Sequence, residues 1–474
     1  VVQPLFIGVK GSEIHAEPKF SSNLMRLSDT TFRSLTMRIL RLFTILAAFS
    51  ALAIGSASAG EAEEVTFYGD VLPILQENCQ SCHRPAGQNI TGIIAPMSLM
   101  TFEETRPWAR AVARKVEAEE MPPWYATEHT DGLYSNERGL TDDEIQTIVA
   151  WANSGSAAGD KSQAPAPKVF GDENGGWFLG TPDFVVTMEE YLIPDDAYDL
   201  QTTFRTKIPD ELIPEEGLWV SGWEFQTGDT GDRIHHFCAG VEDADTVVTA
   251  DAGQGEEDEG EAAARGGSLG CVSAGTEGKL LPDGWGLLIE QGSTARFNIH
   301  YNKEPGTGTA FTNQASMGFH IAKETPKIAF KNDSIGNRGF MIPAHREGYR
   351  VGAGRLIEQD TLILNWWPHA HFRGVGARYT ATYPDGTQEL LLDVPKWQQA
   401  WQETYWYNEP KLLPAGTMVD VSFWYDNTSE HGLRKGFDAD RSLGHAPRTN
   451  DEMALGFVAY GEEIVEDPAA ESQN

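Results

Sequence analysis

The sequence predicts a small all-α domain followed by two all-β sandwich domains. Three observations carry that expectation. Residues 61–156 hold amphipathic stretches with helix start and stop signals. From about residue 170 to 465 the texture changes to short alternating runs, such as "DFVVTM", "TARFNIHY" and "TLILNW", separated by Gly, Pro, Asp and Asn. That is the pattern of antiparallel sandwiches. The stretch is too long for one ordinary sandwich, so two are expected, with a break near 325–345.

The totals agree. A chain of 474 residues has room for two or three domains, and 40% hydrophobic content can fill their cores. The 48 glycines and 25 prolines suit many short strands and turns. Acidic residues outnumber basic ones 70 to 36, for a net charge of −34. A field of that sign repels nucleic acid and anionic lipid, so neither is an expected partner.

Taken in order, residues 1–36 read as an over-extended start, because position 1 is not Met and Met25 and Met37 follow. Residues 37–59 read as a signal peptide. Arg38 and Arg41 supply the charged region, Leu42 to Ile54 the apolar one, and Ala57-Ser58-Ala59 the cleavage site. The apolar run is too short to span a membrane comfortably. Export to the periplasm or beyond is therefore expected, with no membrane span after cleavage. In residues 60–158, "DVLPILQENC", "WARAVARKVEAEE" and "LTDDEIQTIVAWANSG" are the expected helices. Thr141 and Glu144 form a capping box in the last, and Gly155 stops it. Residues 159–170 are a Pro-rich linker. The sandwiches are expected at 171–330 and 331–462, the first carrying an acidic, Gly/Ala-rich insert at 241–268 that reads as a mobile loop, and 463–474 as an acidic tail.

"CQSCH" places Cys79, Cys82 and His83 in the pattern that attaches haem c, two thiols for the vinyl groups and an imidazole for the iron. A redox pair would not need His83, and no second cysteine pair lies nearby to complete a zinc site. The second axial ligand is sought among Met97, Met100, Met121 and His129. Met121 is preferred, because Pro122 and Pro123 hold it in place in "EEMPPWY" and because the segment resembles a class I cytochrome c, in which such a Met is the distal ligand.

Five further histidines and a methionine form a pattern. "WPHAHFRG" puts His369 and His371 two apart, on one face of a strand. "RIHHFCAG" has adjacent His235 and His236, which need a bulge or a strand end to work together. "TARFNIHYN" ends a strand at His300, and "TNDEMALGFVAY" brings Met453 into another. Imidazole suits copper and zinc, and thioether favours Cu(I).

These six residues, in this order, resemble the ligands of the copper type II, ascorbate-dependent monooxygenases, the family of peptidylglycine hydroxylating and dopamine β-monooxygenases. "LPDGWGLLIEQGSTARFNIHYN" and "DEM" resemble its flanking segments, and the likeness covers roughly residues 175–462. It implies two jelly rolls holding two copper ions, one on His235, His236 and His300, the other on His369, His371 and Met453. The first copper would store and deliver an electron. The second would bind and activate O2, so that a substrate C–H bond is hydroxylated. The N-terminal haem would supply electrons from a reductant or redox protein. The family's peptidylglycine members carry Arg where this chain has Trp367, and Asn and Tyr where it has Leu455 and Phe457. That departure points to a small, apolar or amphipathic substrate and not to a carboxylate.

Cys238 and Cys271 flank the acidic insert of an exported chain and are expected to be bridged. His320 and His345 read as ordinary strand or loop residues, His431 and His445 as members of a polar loop, and His15 precedes the leader. Two other readings stand beside the enzyme: a periplasmic electron-transfer or copper-binding haem protein without hydroxylase activity, and a haem-bearing sandwich that binds carbohydrate or a protein partner.

Overall fold

The computed structural model describes residues 64–84, 95–127, 132–168, 170, 176–228, 233–244, 268–272, 278–446 and 448–464. The expected start, leader and His15, as well as His129, most of the insert at 241–268 and the tail beyond residue 464, lie outside the described residues. Residues Val65–Asn474 form one compact unit. Among the described residues no helix is long and apolar enough to cross a membrane.

The unit opens with helices α1 (Leu72–Asn78), α2 (Phe102–Thr105), α3 (Ala109–Glu117) and α4 (Asp142–Asn153). The capping box at α4 forms as a reciprocal pair, the Glu144 N–H donating to Thr141 Oγ1 at 3.3 Å and the Thr141 N–H to Glu144 Oε2 at 2.8 Å. The apolar faces meet in a core of their own around Phe67, Leu75, Val116, Ile148 and Trp151.

The rest is mostly β. The longer strands are β1 (Phe184–Thr187), β2 (Asp199–Lys207), β3 (Leu218–Gln226), β4 (Ile234–Glu242), β5 (Ser268–Val272), β6 (Trp285–Ile289), β7 (Thr294–Asn302), β8 (Ser316–Ile321), β9 (Ile328–Gly336), β10 (Tyr349–Leu356), β11 (Thr361–His369), β12 (Gly374–Thr382), β13 (Gln388–Val394), β14 (Tyr405–Leu413), β15 (Met418–Tyr425) and β16 (Leu455–Glu463). A short helix, α5 (Ser429–Lys435), follows β15. Two four-stranded sheets, β2–β7–β4–β5 and β10–β15–β12–β13, each face one half of a long sheet ordered β1–β8–β3–β6–β9–β16–β11–β14. The result is two jelly-roll-like sandwiches. Phe225, Phe237, Phe297 and Phe319 fill the first core, and Trp366, Tyr379, Val421 and Val458 the second.

The long sheet is what the alternation of the sequence does not reveal. β9 pairs in parallel with β6 of the first sandwich and antiparallel with β16 of the second. The boundary at 330/331 thus falls inside a shared strand. β11 is buried along nearly its whole length, since one face enters the second core and the other enters the junction between the sandwiches. A strand covered on both faces reads as a continuous apolar run, which is why "LILNWWPH" does not alternate.

Described residues on either side of position 130, in 122–127 and 132–138, are built into the second sandwich. The Ser135 N–H donates to the Trp406 carbonyl at 2.7 Å, the Asn408 N–H to the Leu133 carbonyl at 2.9 Å, and the Tyr134 hydroxyl to the Leu391 carbonyl at 2.5 Å. Arg138 forms an ion pair with the buried Glu403.

Candidate metal centres

His369 is the last residue of β11, and His371 lies just beyond it. Their rings stand at right angles with centroids 5.2 Å apart. The His369 Nδ1 is 2.6 Å from Gln402 Oε1. An amide oxygen only accepts, so the proton is on Nδ1 and the lone pair on Nε2. A ring fixed in that way is what a metal-binding imidazole needs.

The loop after β11 is clamped by Glu452. Its two oxygens accept the His371 N–H at 2.8 Å and the Arg373 N–H at 2.7 Å. Burial pushes this carboxyl up to about 8, against the pull of the Arg373 and His371 N–H groups and the Arg373 charge. Arg373 is itself 1% exposed and is bonded to Asn427 Oδ1 and to the Asn450 and Asp438 carbonyls at 2.8–3.0 Å. Met453, next to Glu452, is fully buried and its carbonyl accepts the Tyr425 hydroxyl at 2.5 Å. β11 and β16 pair His369 with Leu455. Met453 lies two residues before Leu455, on the segment that leads into β16.

In the first sandwich, β4 pairs with β7 so that Ile234 faces Tyr301 and His236 faces His300, with a register shift between them. His235 is the extra residue of a bulge, the device that lets a strand re-aim a side chain. The His235 side chain lies outside the described ones. The His236 and His300 rings are 4.9 Å apart, and the His236 ring is 6.2 Å from that of His369. The histidine pairs of the two sandwiches therefore meet at one junction. Cys238 and Cys271, directly paired across β4 and β5, form a disulfide. Trp367, Met453, Leu455 and Phe457 pack with Cys238 in a small apolar cluster there.

Among the described residues no three His, Cys, Asp or Glu side chains group closely enough to form a metal site by themselves. Each candidate set has two described imidazoles. The third donor is His235 in one set and a thioether in the other. Two imidazoles with a buried thioether suit copper in its reduced state, and the donor chemistry fits the ion.

In the helical part, Cys79, Cys82 and His83 form one turn beyond α1, closed by the His83 N–H donating to the Cys79 carbonyl at 2.9 Å. The thiols are not bridged. All three residues line an apolar cavity of about 310 Å³, with Met97 and Met121 among its other walls. Met100 is not among the lining residues. The His83 Nδ1 is 3.1 Å from the Met97 carbonyl, which leaves Nε2 as the ligating nitrogen. Burial holds His83 below its ordinary value, hence neutral, against the opposing pull of that carbonyl. Burial, then the nearby Cys82 and Glu144, push the Cys79 thiol up to about 12. An apolar cavity walled by two thiols, a neutral imidazole and thioethers fits haem c.

His320 bonds the buried Glu224 at 3.0 Å, and His345 is exposed beside Asp440. His431 departs from the loop expected for it. It sits in α5, 6% exposed, and its Nε2 lies 3.0 Å from the Phe372 carbonyl, supporting the His371 loop from behind. Gln402, Arg373 and His431 carry no signal in the sequence, since isolated polar residues far along the chain do not announce what they brace. Glu452 stands in "DEM", but only the fold gives it a task.

No family model and no curated protein matches the chain. Solved structures similar to it are viral capsid proteins: the cowpea mosaic virus top component (7% identity, 61% of this chain and 92% of that one, TM-score 0.30), broad bean stain virus (8%, 59% and 80%, 0.25) and the major capsid protein P2 of bacteriophage PM2 (10%, 60% and 99%, 0.23). Likeness at these scores carries no functional conclusion.

Proposed function

We propose that this protein is an exported haem–copper monooxygenase that hydroxylates a C–H bond of a small apolar substrate with O2. The observation that carries the reading is the meeting of His236 and His300 from one sandwich with His369 and His371 from the other; the buried Met453 is the third donor we assign to the second set. Copper on such sets supplies one-electron redox cycling and O2 activation, and haem c supplies a store for electrons. Cys79 and Cys82 attach the haem, His83 and Met121 hold its iron, and His235 belongs with His236 and His300. Gln402 keeps His369 in one tautomer, and Glu452 holds the His371 and Met453 segments together. Trp367, Leu455 and Phe457 keep water and charge away from Met453. An unpaired carboxylate buried there costs several kcal/mol, about 3–5 by analogy with broken buried pairs, so a carboxylate-anchored substrate is disfavoured.

The test is oxygen uptake by protein loaded with haem and copper, supplied with a one-electron reductant and a panel of small apolar compounds. Substrate-dependent uptake with formation of a hydroxylated product is expected. A protein that binds both groups and consumes no oxygen with any compound is an electron carrier or copper binder instead.

A further inference from the structure

Trp401 is the one residue beyond 138 among the described walls of the helical cavity. The next residue, Gln402, is 2% exposed and bonds His369 Nδ1 at 2.6 Å. The Gln402 carbonyl also accepts the Trp367 indole N–H at 2.9 Å, and the Trp367 and His369 rings are 5.2 Å apart. One peptide bond and two short hydrogen bonds thus connect the cavity wall with the histidine pair of the second sandwich.

The contacts around this link hold it in place. Arg138, another cavity residue, forms an ion pair with Glu403, and the Asn136 side-chain amide donates to the Thr404 carbonyl at 2.7 Å. Trp124 lies against Tyr405 at 5.0 Å. Residues 401–405 are therefore gripped from the helical side at three successive positions, while residue 402 grips His369.

We propose that Trp401–Gln402 is the electron conductor of this molecule, so that the electron enters the sandwiches at His369 and not at the histidines of the first sandwich. The proposal rests on the haem–copper reading. Electron tunnelling is far more efficient through covalent and hydrogen bonds than across gaps. The path from cavity wall to His369 consists of the Trp401 ring, one peptide unit, the Gln402 side chain and one hydrogen bond. With haem held by Cys79, Cys82 and His83 and copper held at His369 and His371, the ferrous haem would supply one electron and the cupric ion would accept it. One electron moves, no covalent bond is made or broken, and the Nδ1 proton stays between His369 and Gln402. An external one-electron reductant restores the haem. The contact of His236 with His369 carries the electron onward to the first sandwich.

The experiment is anaerobic stopped-flow oxidation of ferrous haem in protein carrying haem and Cu(II), without substrate, read at the haem absorption band. Haem and copper content and the haem potential are measured beside it. Wild type is expected to show a fast phase. Trp401→Leu should lose it by more than its measured change in potential accounts for, and Trp401→Phe, which keeps an aromatic ring, should retain it. Gln402→Leu should lose the phase as well, and in the metal-free protein its His369 nitrogen NMR signals should shift from a single tautomer to a mixture. His371→Ala should lose the phase although copper remains on the first sandwich. A fast phase that survives Trp401→Leu and Gln402→Leu overturns the route, as does one that survives His371→Ala with the second copper absent. Wild-type protein that binds no haem or no copper overturns the functional reading and the route together.

Discussion

The two sandwiches present their histidines by different means. In the second, His369 and His371 are braced from several separate stretches of chain: Gln402 on His369, Glu452 on the His371 loop, Arg373 and Asn427 behind Glu452, and His431 on the Phe372 carbonyl. In the first, His236 and His300 face each other on neighbouring strands, beside one bulge and one disulfide. The difference teaches where rigidity is invested. The pair that is read as the oxygen site sits on a strand end and needs buried polar braces to hold it. The pair that is read as the electron store lies on two paired strands, next to the bulge at His235.

Unequal damage is the consequence. The largest effect is expected from Met453→Ala, which removes a ligand outright. Activity should fall by about 100-fold or more, at or beyond the top of the range seen when a metal's supporting shell is disturbed. Carbon monoxide, an O2 surrogate read by infrared on the reduced protein, should no longer bind. His300→Ala should also stop turnover yet keep carbon monoxide bound at the second sandwich. If Met453→Ala keeps both carbon monoxide and turnover, the two sets have been assigned to the wrong tasks.

The next effect is on stability. Replacing both Cys238 and Cys271 by Ser opens a loop of 33 residues and should cost about 3–4 kcal/mol in urea unfolding without reductant. Arg373→Leu leaves the Asn427 side-chain oxygen and the Asn450 and Asp438 carbonyls without their donor and should cost about 1–3 kcal/mol in urea unfolding. A loss under 1 kcal/mol would mean that the brace carries little. The smallest effect belongs to a control outside both sites. Arg434 and Glu430 pair on the exposed face of α5, at 58% and 82% side-chain exposure. Arg434→Ala should change stability by less than about 1 kcal/mol.

Much of this was legible from spacing. Two histidines at a strand's period must share a face, and adjacent ones demand a bulge; the register shift at His235 supplies it. The disulfide was legible because two cysteines flank one insert in a chain expected to be exported. The braces were not, because Gln402 and His431 act through single contacts made only by the folded chain. From the sequence, residues 122–138 belong to a separate helical domain, and nothing in their polar, Pro-containing text reveals that Tyr134 enters the second core. The shared strand β9 escaped for a related reason. Its two partners lie in different sandwiches, and pairing across a domain boundary leaves no local pattern.

The most direct test of the central claim is the copper content of three purified proteins after loading and desalting: wild type, His300→Ala and His371→Ala. Two independent sets predict about two coppers per chain in wild type and about one in each variant, with the surviving copper giving a different electron paramagnetic resonance signal in the two variants. Wild-type protein without stoichiometric copper, or variants that both keep two, would contradict the account.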